Sequence, residues 1–246
     1  MITNEDGTYQ TDHEKAEAFI KHNLITEPAD PRTAVETQRR RKTTDSEKRR
    51  VRQALSRTKN NSAPGPDGIS WRLLKAISKT ALGEAIIEDV AQVTSEGGRT
   101  KMPEEWRKLK MVMLPKLGKD HTQVKGWRPI VLANTTGKLA EKIMAQKLQE
   151  KEELWHERAF AGRKGRGAID SVMLMKMLME KNPAGEILGR DVQSAFNTLR
   201  RDVTSRILGQ HDWLRWWIDD WLAPREFGIE VDGKEIGRTT MTGGTP

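Results

Sequence analysis

The chain has 246 residues, 35% of them hydrophobic and 32% charged, with 43 lysines and arginines against 35 acidic residues and a net charge of +8. That length suffices for one large domain or two modest ones with a real core. Ten methionines and no cysteine exclude a disulfide framework and cysteine-bound zinc, and no apolar run reaches the roughly 18 residues of a membrane-spanning helix.

The first thirty residues are acidic and polar and lack the apolar centre of a secretory signal. The expectation is a soluble, intracellular chain, with nucleus and cytoplasm both open. Within 10–26, Ala16, Phe19, Ile20 and Leu24 predict an amphipathic helix that Pro28 and Pro31 break. A basic strip follows: Arg39, Arg40, Arg41, Lys42, Lys48, Arg49, Arg50, Arg52, Arg57 and Lys59 outnumber Asp45 and Glu47 by as much as the net charge of the whole chain. It is expected to be helical and exposed. Such a strip favours phosphate backbones through counterion release, so Arg39, Arg40, Arg41, Arg49 and Arg50 are candidate nucleic-acid contacts. A plain solvated helical face and a nuclear address explain the same charge.

Asn60 to Ile69 holds two prolines and two glycines and predicts turns at a domain entry. Leu82, Ile86, Ile87, Val90 and Val93 predict a core-facing helix that stops at Gly97-Gly98. Met111 to Leu114, closed by Pro115, and Ile130 to Leu132 predict buried strands. Leu139, Ile143, Met144 and Leu148 predict a further helix. Gly162, Gly165 and Gly167 with Arg163, Lys164 and Arg166 make a flexible basic patch suited to a template backbone. A phosphate-binding P-loop is excluded there, because Lys138 is followed by Leu139 and the required glycine spacing is absent.

Residues 172–179 are apolar almost all round and predict a helix buried on most faces. Ile187-Leu188-Gly189 predicts a strand that delivers Asp191, and Phe196, Leu199, Val203 and Ile207 a helix that leaves it. Leu214, Trp217, Ile218, Trp221 and Leu222 predict another helix, with Asp219 and Asp220 on its opposite face. Phe227, Ile229 and Val231 alternate up to Asp232-Gly233, a hairpin signal.

A carboxylate at a strand end, such as Asp191, can hold a hard divalent cation through oxygen. Two such ions about 4 Å apart clamp the attacking and leaving oxygens of a nucleotidyl transfer. Taken alone, Asp191 would more often be a helix cap or a turn residue than a metal ligand. Several other segments stand in order with it: Ala63 to Ile69, Leu114-Pro115-Lys116, Trp127 to Ile130, Gly137 to Lys142, Phe160 to Arg166, and Asp191 to Phe196. Together they resemble the successive fingers and palm blocks of reverse transcriptases, above all those of the non-LTR retrotransposon type. The resemblance covers 60–246 and, more loosely, the N-terminal lead.

The resemblance implies an α+β fold of reverse-transcriptase-like fingers and partial palm, with a helical basic N-terminal lead. It divides the chain into a lead-in over 1–59, fingers over 60–182 and palm over 183–246. It implies Mg²⁺ held by the Asp191 carboxylate and the Val192 carbonyl. Lys116 and Arg128 would grip the incoming triphosphate, and Phe196 would exclude a ribose 2′-hydroxyl. Pro64 to Gly68 would be a template-side turn. The partners implied are an RNA template, a DNA primer and deoxynucleoside triphosphates, with no membrane.

Trp217-Ile218-Asp219-Asp220 mimics the aromatic-x-Asp-Asp box that supplies the remaining carboxylates of such enzymes. Its helical spacing and its position before Gly244-Thr245-Pro246 argue against it. The expectation is a fragment that lacks the second carboxylates and a C-terminal palm and thumb segment, inactive alone, with Ile187, Leu188, Phe227 and Ile229 near an unpaired sheet edge. The alternative is a nucleic-acid-binding relic without chemistry.

Overall fold

The computed structural model describes residues 2–4, 7–24, 42–96, 100–192, 195–196 and 198–244. Two compact units emerge, one of 1–140 with 194–246, the other 141–193. Among the described residues no helix is long and apolar enough to cross a membrane.

The first unit opens with a small antiparallel pair, β1 (Ile2–Asn4) and β2 (Gly7–Tyr9). Helix α1 (Asp12–Asn23) starts at a capping box: Thr11 accepts from the Glu14 N–H at 3.2 Å, and Glu14 accepts from the Thr11 N–H at 2.9 Å. Ala16 and Phe19 are buried, as their spacing predicts; Ile20 and Leu24 are half-buried, and Ala18 is buried as well. Pro28 and Pro31 lie outside the described residues.

Helix α2 (Asp45–Ser56) carries another capping box, between Thr44 and Glu47. It is amphipathic rather than wholly exposed, because Val51, Ala54 and Leu55 are buried. Helices α3 (Trp71–Ile77) and α4 (Ala81–Val93) follow. Ile87, Val90 and Val93 of α4 face the core, but Leu82 is 62% exposed. It sits in the first turn, off the stripe that packs on α2. Gly97 and Gly98 are outside the described residues.

Strands β3 (Lys108–Pro115) and β4 (Trp127–Ala133) pair antiparallel. Helix α5 (Thr135–Glu150) buries Leu139, Ile143 and Met144, as expected. Helix α6 (Ala168–Lys181) belongs to the second unit, α7 (Arg201–Leu208) and α8 (Asp212–Trp221) to the first. Strands β5 (Arg225–Val231) and β6 (Lys234–Met241) form the expected hairpin. Its two-residue turn holds Asp232 at φ 50 and Gly233 at φ 78, the doubly left-handed geometry for which Asp-Gly is suited.

The four-stranded sheet runs β4-β3-β5-β6, with β3 and β5 parallel. Leu109, Met111 and Met113 alternate inward on β3, and Phe227 and Ile229 on β5; they share a core with Phe19, Val124 and Met241. Phe19 meets Trp127 edge to face, with ring centroids 5.9 Å apart. Helix α1 crosses β6 closely enough that a Cβ on Gly237 would lie 2.6 Å from that of Ala16.

Four sequence expectations are corrected. Strand β4 lies at the sheet edge and alternates in exposure, so it is half-buried rather than buried. Helix α6 forms, yet none of its residues is buried, and Met173, Met177 and Met179 are each more than half exposed. Apolar side chains fix a helix only as far as periodicity goes; burial needs a covering surface too. Residues 187–189 form no strand, and Leu188 is 76% exposed; among the described residues no strand pairs with their backbone groups. Phe227 and Ile229 lie on an interior strand and are fully buried, not near an edge.

Candidate nucleotide and nucleic-acid site

The β3–β4 hairpin sets the positions of Lys116 and Arg128. Leu114 stands opposite Arg128 and Pro115 opposite Trp127, and the Lys116 N–H closes the ladder on the Gly126 carbonyl at 2.8 Å. The connecting loop is tied internally. Lys116 Nζ donates to the Lys125 carbonyl at 2.8 Å, and Trp127 Nε1 to the His121 carbonyl at 2.9 Å. Asp120 accepts from the Thr122 hydroxyl and N–H, which holds its carboxyl below the ordinary range. A Cβ on Gly126 would collide with the Asp120 carbonyl at 2.0 Å, so this turn demands glycine.

Arg128 is exposed and, among the described residues, has no ion pair or hydrogen bond through its guanidinium. A cation held at a strand edge without a carboxylate partner is free to take an anion. The simpler reading of Arg128, as half of a structural ion pair, finds no partner among the described residues.

The turn at 64–69 docks on the junction of β4 and α5. Gly65 packs so tightly that a Cβ would lie 2.5 Å from the backbone of Ala133 and Asn134. Asn134 is buried, accepts from the Asp67 N–H at 3.3 Å and donates to the Glu105 carbonyl at 2.6 Å. Thr135 donates its hydroxyl to the Ile69 carbonyl. Asn134 was not singled out from sequence, and a lone Asn after an apolar run gives no signal for such a role.

Asp191 and Val192 lie in the second unit, exposed and outside regular structure. Their carboxylate and carbonyl are oxygen donors of the kind a hard cation prefers, though two ligands of a usual six. Among the described residues no three acidic or histidine side chains are grouped to hold a metal. Phe196 belongs to the first unit, in a turn rather than a helix, with 74% of its surface exposed. Helix α7 starts only at Arg201. Gln193, Ser194 and Asn197 lie outside the described residues.

The Asp219-Asp220 pair sits on α8, so the rejection of a hairpin box agrees with the local structure. Its expected solvent-facing placement is corrected for Asp220, which is 8% exposed. That carboxylate accepts from the Met102 N–H at 2.5 Å and forms an ion pair with Arg107. Asp219 accepts from the Ser205 hydroxyl.

The basic candidates differ among themselves. Arg39, Arg40 and Arg41 lie outside the described residues. On α2, Lys48 pairs with Glu88 at 2.5 Å and Arg52 with Glu84 at 2.6 Å, so these two cations are used within the fold. Lys48 above all, with Thr43 and Gln92, donates to Glu88 and pushes its carboxyl down to about 2. Arg49 is exposed on the same helix without an ion pair among the described residues, and Arg50 is half-buried. In the second unit, Arg163 donates to the His156 carbonyl at 3.2 Å and Arg166 to that of Glu157, while Lys164 is exposed.

Residues 114–246 match the family described as reverse transcriptase (RNA-dependent DNA polymerase), and the chain belongs to that family. The matched interval contains Lys116, Arg128, Asp191 and Phe196. The chain is also 26% identical over 155 residues to the retrovirus-related Pol polyprotein from type-1 retrotransposable element R2 of Popillia japonica. That alignment takes in 60% of this chain and 20% of the relative, so the chain spans about a fifth of the relative's length. The two matches support a reverse transcriptase domain of the non-LTR retrotransposon type.

Proposed function

We propose that the chain contributes the nucleotide-gripping part of an RNA-directed DNA polymerase, which extends a DNA primer on an RNA template with deoxynucleoside triphosphates. The observation that carries this reading is the family match from Leu114 to Pro246, which includes an exposed Arg128 with no ion pair among the described residues and an exposed Phe196. In the reaction the primer 3′-hydroxyl attacks the α-phosphorus and pyrophosphate leaves. Asp191 and the Val192 carbonyl would hold Mg²⁺, which stabilises charge on the attacking and leaving oxygens when bound. Arg128 presents a planar fork to the phosphate oxygens, and Lys116 a point charge once its Nζ leaves the Lys125 carbonyl. The Phe196 ring excludes a 2′-hydroxyl by contact. The division into lead-in, fingers and palm at residues 59 and 182 is part of the same proposal.

Primer extension by a polypeptide that includes this domain tests it. Asp191→Asn should abolish extension, Arg128→Ala should raise the KM for deoxynucleotides, and Phe196→Ala should admit ribonucleotides. Extension at the wild-type rate by Asp191→Asn would sink the assignment.

A second reading is nucleic-acid binding without chemistry. Its support is Arg49, exposed on α2 without an ion pair among the described residues, which can meet a phosphate backbone whether or not chemistry follows. Steeply salt-dependent binding with no primer extension by the wild type would establish it.

A further inference from the structure

Arg201 opens α7 and is 8% exposed, an unusual place for a guanidinium unless its donors are used. Its Nε donates to the Gly244 carbonyl at 2.8 Å and its Nη1 to the Leu222 carbonyl at 2.8 Å, with a longer approach to Met241 at 3.5 Å. In the other direction, the Gly244 N–H donates to the Leu199 carbonyl at 3.2 Å. The loop after β6 is therefore fastened to Leu199 through the backbone and to Arg201, the first residue of α7, through a side chain. All these residues belong to the first unit.

We propose that Arg201 is a positioning residue that locks the Gly243-Gly244 loop to the Phe196 turn, so that the sugar of the incoming nucleotide meets one rigid wall built from both segments. The proposal rests on the polymerase reading above. A ring that selects by contact must be held in place, since displacement by about 1 Å is enough to spoil such geometry. The described residues from 195 to 199 lie outside any helix or strand, so no ladder fixes them. Arg201, buried at the head of α7, takes that part through the Gly244 carbonyl and without touching the nucleotide. Lysine would not replace it, because one ammonium on a flexible stem lacks the planar fork that reaches several carbonyls at once.

The test is amide hydrogen exchange at Gly244 in this chain, in the wild type, in Arg201→Lys and in Arg200→Gln, which removes a charge at an exposed neighbour. A protected Gly244 amide is expected in the wild type and in Arg200→Gln. Exchange in Arg201→Lys should be faster by about tenfold or more, the loss expected for a hydrogen bond to a charged donor, with α8 unchanged. An unprotected wild-type amide overturns the proposal, as does an equal rate in Arg201→Lys. If Arg201→Lys does not fold, the wild-type rate alone decides the anchoring.

A second arm measures primer extension by a polypeptide that includes the domain. Arg201→Lys should raise the KM for deoxynucleotides and lower selectivity against ribonucleotides, with little change in kcat. Unchanged selectivity and KM overturn the sugar-wall role. A wild type that extends no primer overturns the polymerase reading and that role with it, while the exchange measurement still decides the anchoring.

Discussion

The carboxylate of Asp220 and the guanidinium of Arg107 form a largely buried ion pair that joins α8 to the turn before β3. Removing one member of such a pair strands the other charge. Asp220→Ala is expected to cost about 3–5 kcal/mol, whereas Asp219→Ala, which removes the acceptor of the Ser205 hydroxyl on the more exposed side of the helix, should cost about 1 kcal/mol. Urea denaturation of the two variants measures the difference. Equal costs would mean that Asp220 does not hold Arg107 in solution.

Acid should weaken the α2–α4 contact through Glu88. Its folded value of about 2 lies below its ordinary 4.5, so its contribution is fully present above 4.5 and is lost as pH falls towards 2. Melting temperature against pH should therefore fall less steeply for Glu88→Gln than for the wild type across that window. The opposite sign applies to Lys48, whose value Glu88 raises: its contribution is present below 10.5 and disappears above the raised value.

Substitution in the 64–69 turn should depend on what surrounds each glycine. Gly65→Ala drives a methyl into the Ala133–Asn134 backbone, which cannot yield cheaply, and is expected to cost about 1–3 kcal/mol or more. Gly68 has φ 68 and open space around it, so Gly68→Ala should cost only the left-handed penalty of about 1–2 kcal/mol. Denaturation midpoints separate the two, and a Gly65→Ala variant as stable as the wild type would refute the docked turn.

Equal charge removals from α2 should have unequal effects on nucleic-acid binding. Arg49→Gln with Arg57→Gln removes two exposed cations and should lower the slope of log affinity against log salt by about 2. Lys48→Gln with Arg52→Gln removes the same charge from residues already paired with Glu88 and Glu84. It should lower the melting temperature and leave the salt slope nearly unchanged. Titration of labelled duplex DNA and single-stranded RNA at several salt concentrations is the measurement, and identical slopes for the two variants would remove α2 as a phosphate contact.

Elements whose evidence is local were readable from the sequence. The spacing of Leu214, Ile218 and Leu222 located α8 and its buried face, and Asp232-Gly233 located the hairpin turn to the residue. The family emerged from the order of short blocks rather than from any one of them, and the match over 114–246 agrees with it. Features that depend on distant partners were not readable. The methionine-rich α6 has the pattern of a buried helix, and Ile187-Leu188 has strand composition, yet among the described residues nothing buries the one and no strand pairs with the other. Asp220 looked like a solvent-facing carboxylate because Arg107, its partner, lies far away in sequence. Charge density marked α2 as a phosphate surface, yet could not show which of its cations the fold had already used.

The parallel pairing of β3 with β5 bears on how the chain acquires its structure during synthesis. Lys108 stands beside Glu226 in the finished sheet, so the β3–β4 hairpin must wait for most of the chain to be made before its inner edge is covered. Until then an apolar strand with unpaired backbone groups faces solvent, the kind of slow, non-local closure that invites aggregation. Nascent chains released before Val231 should thus be the ones most dependent on chaperones.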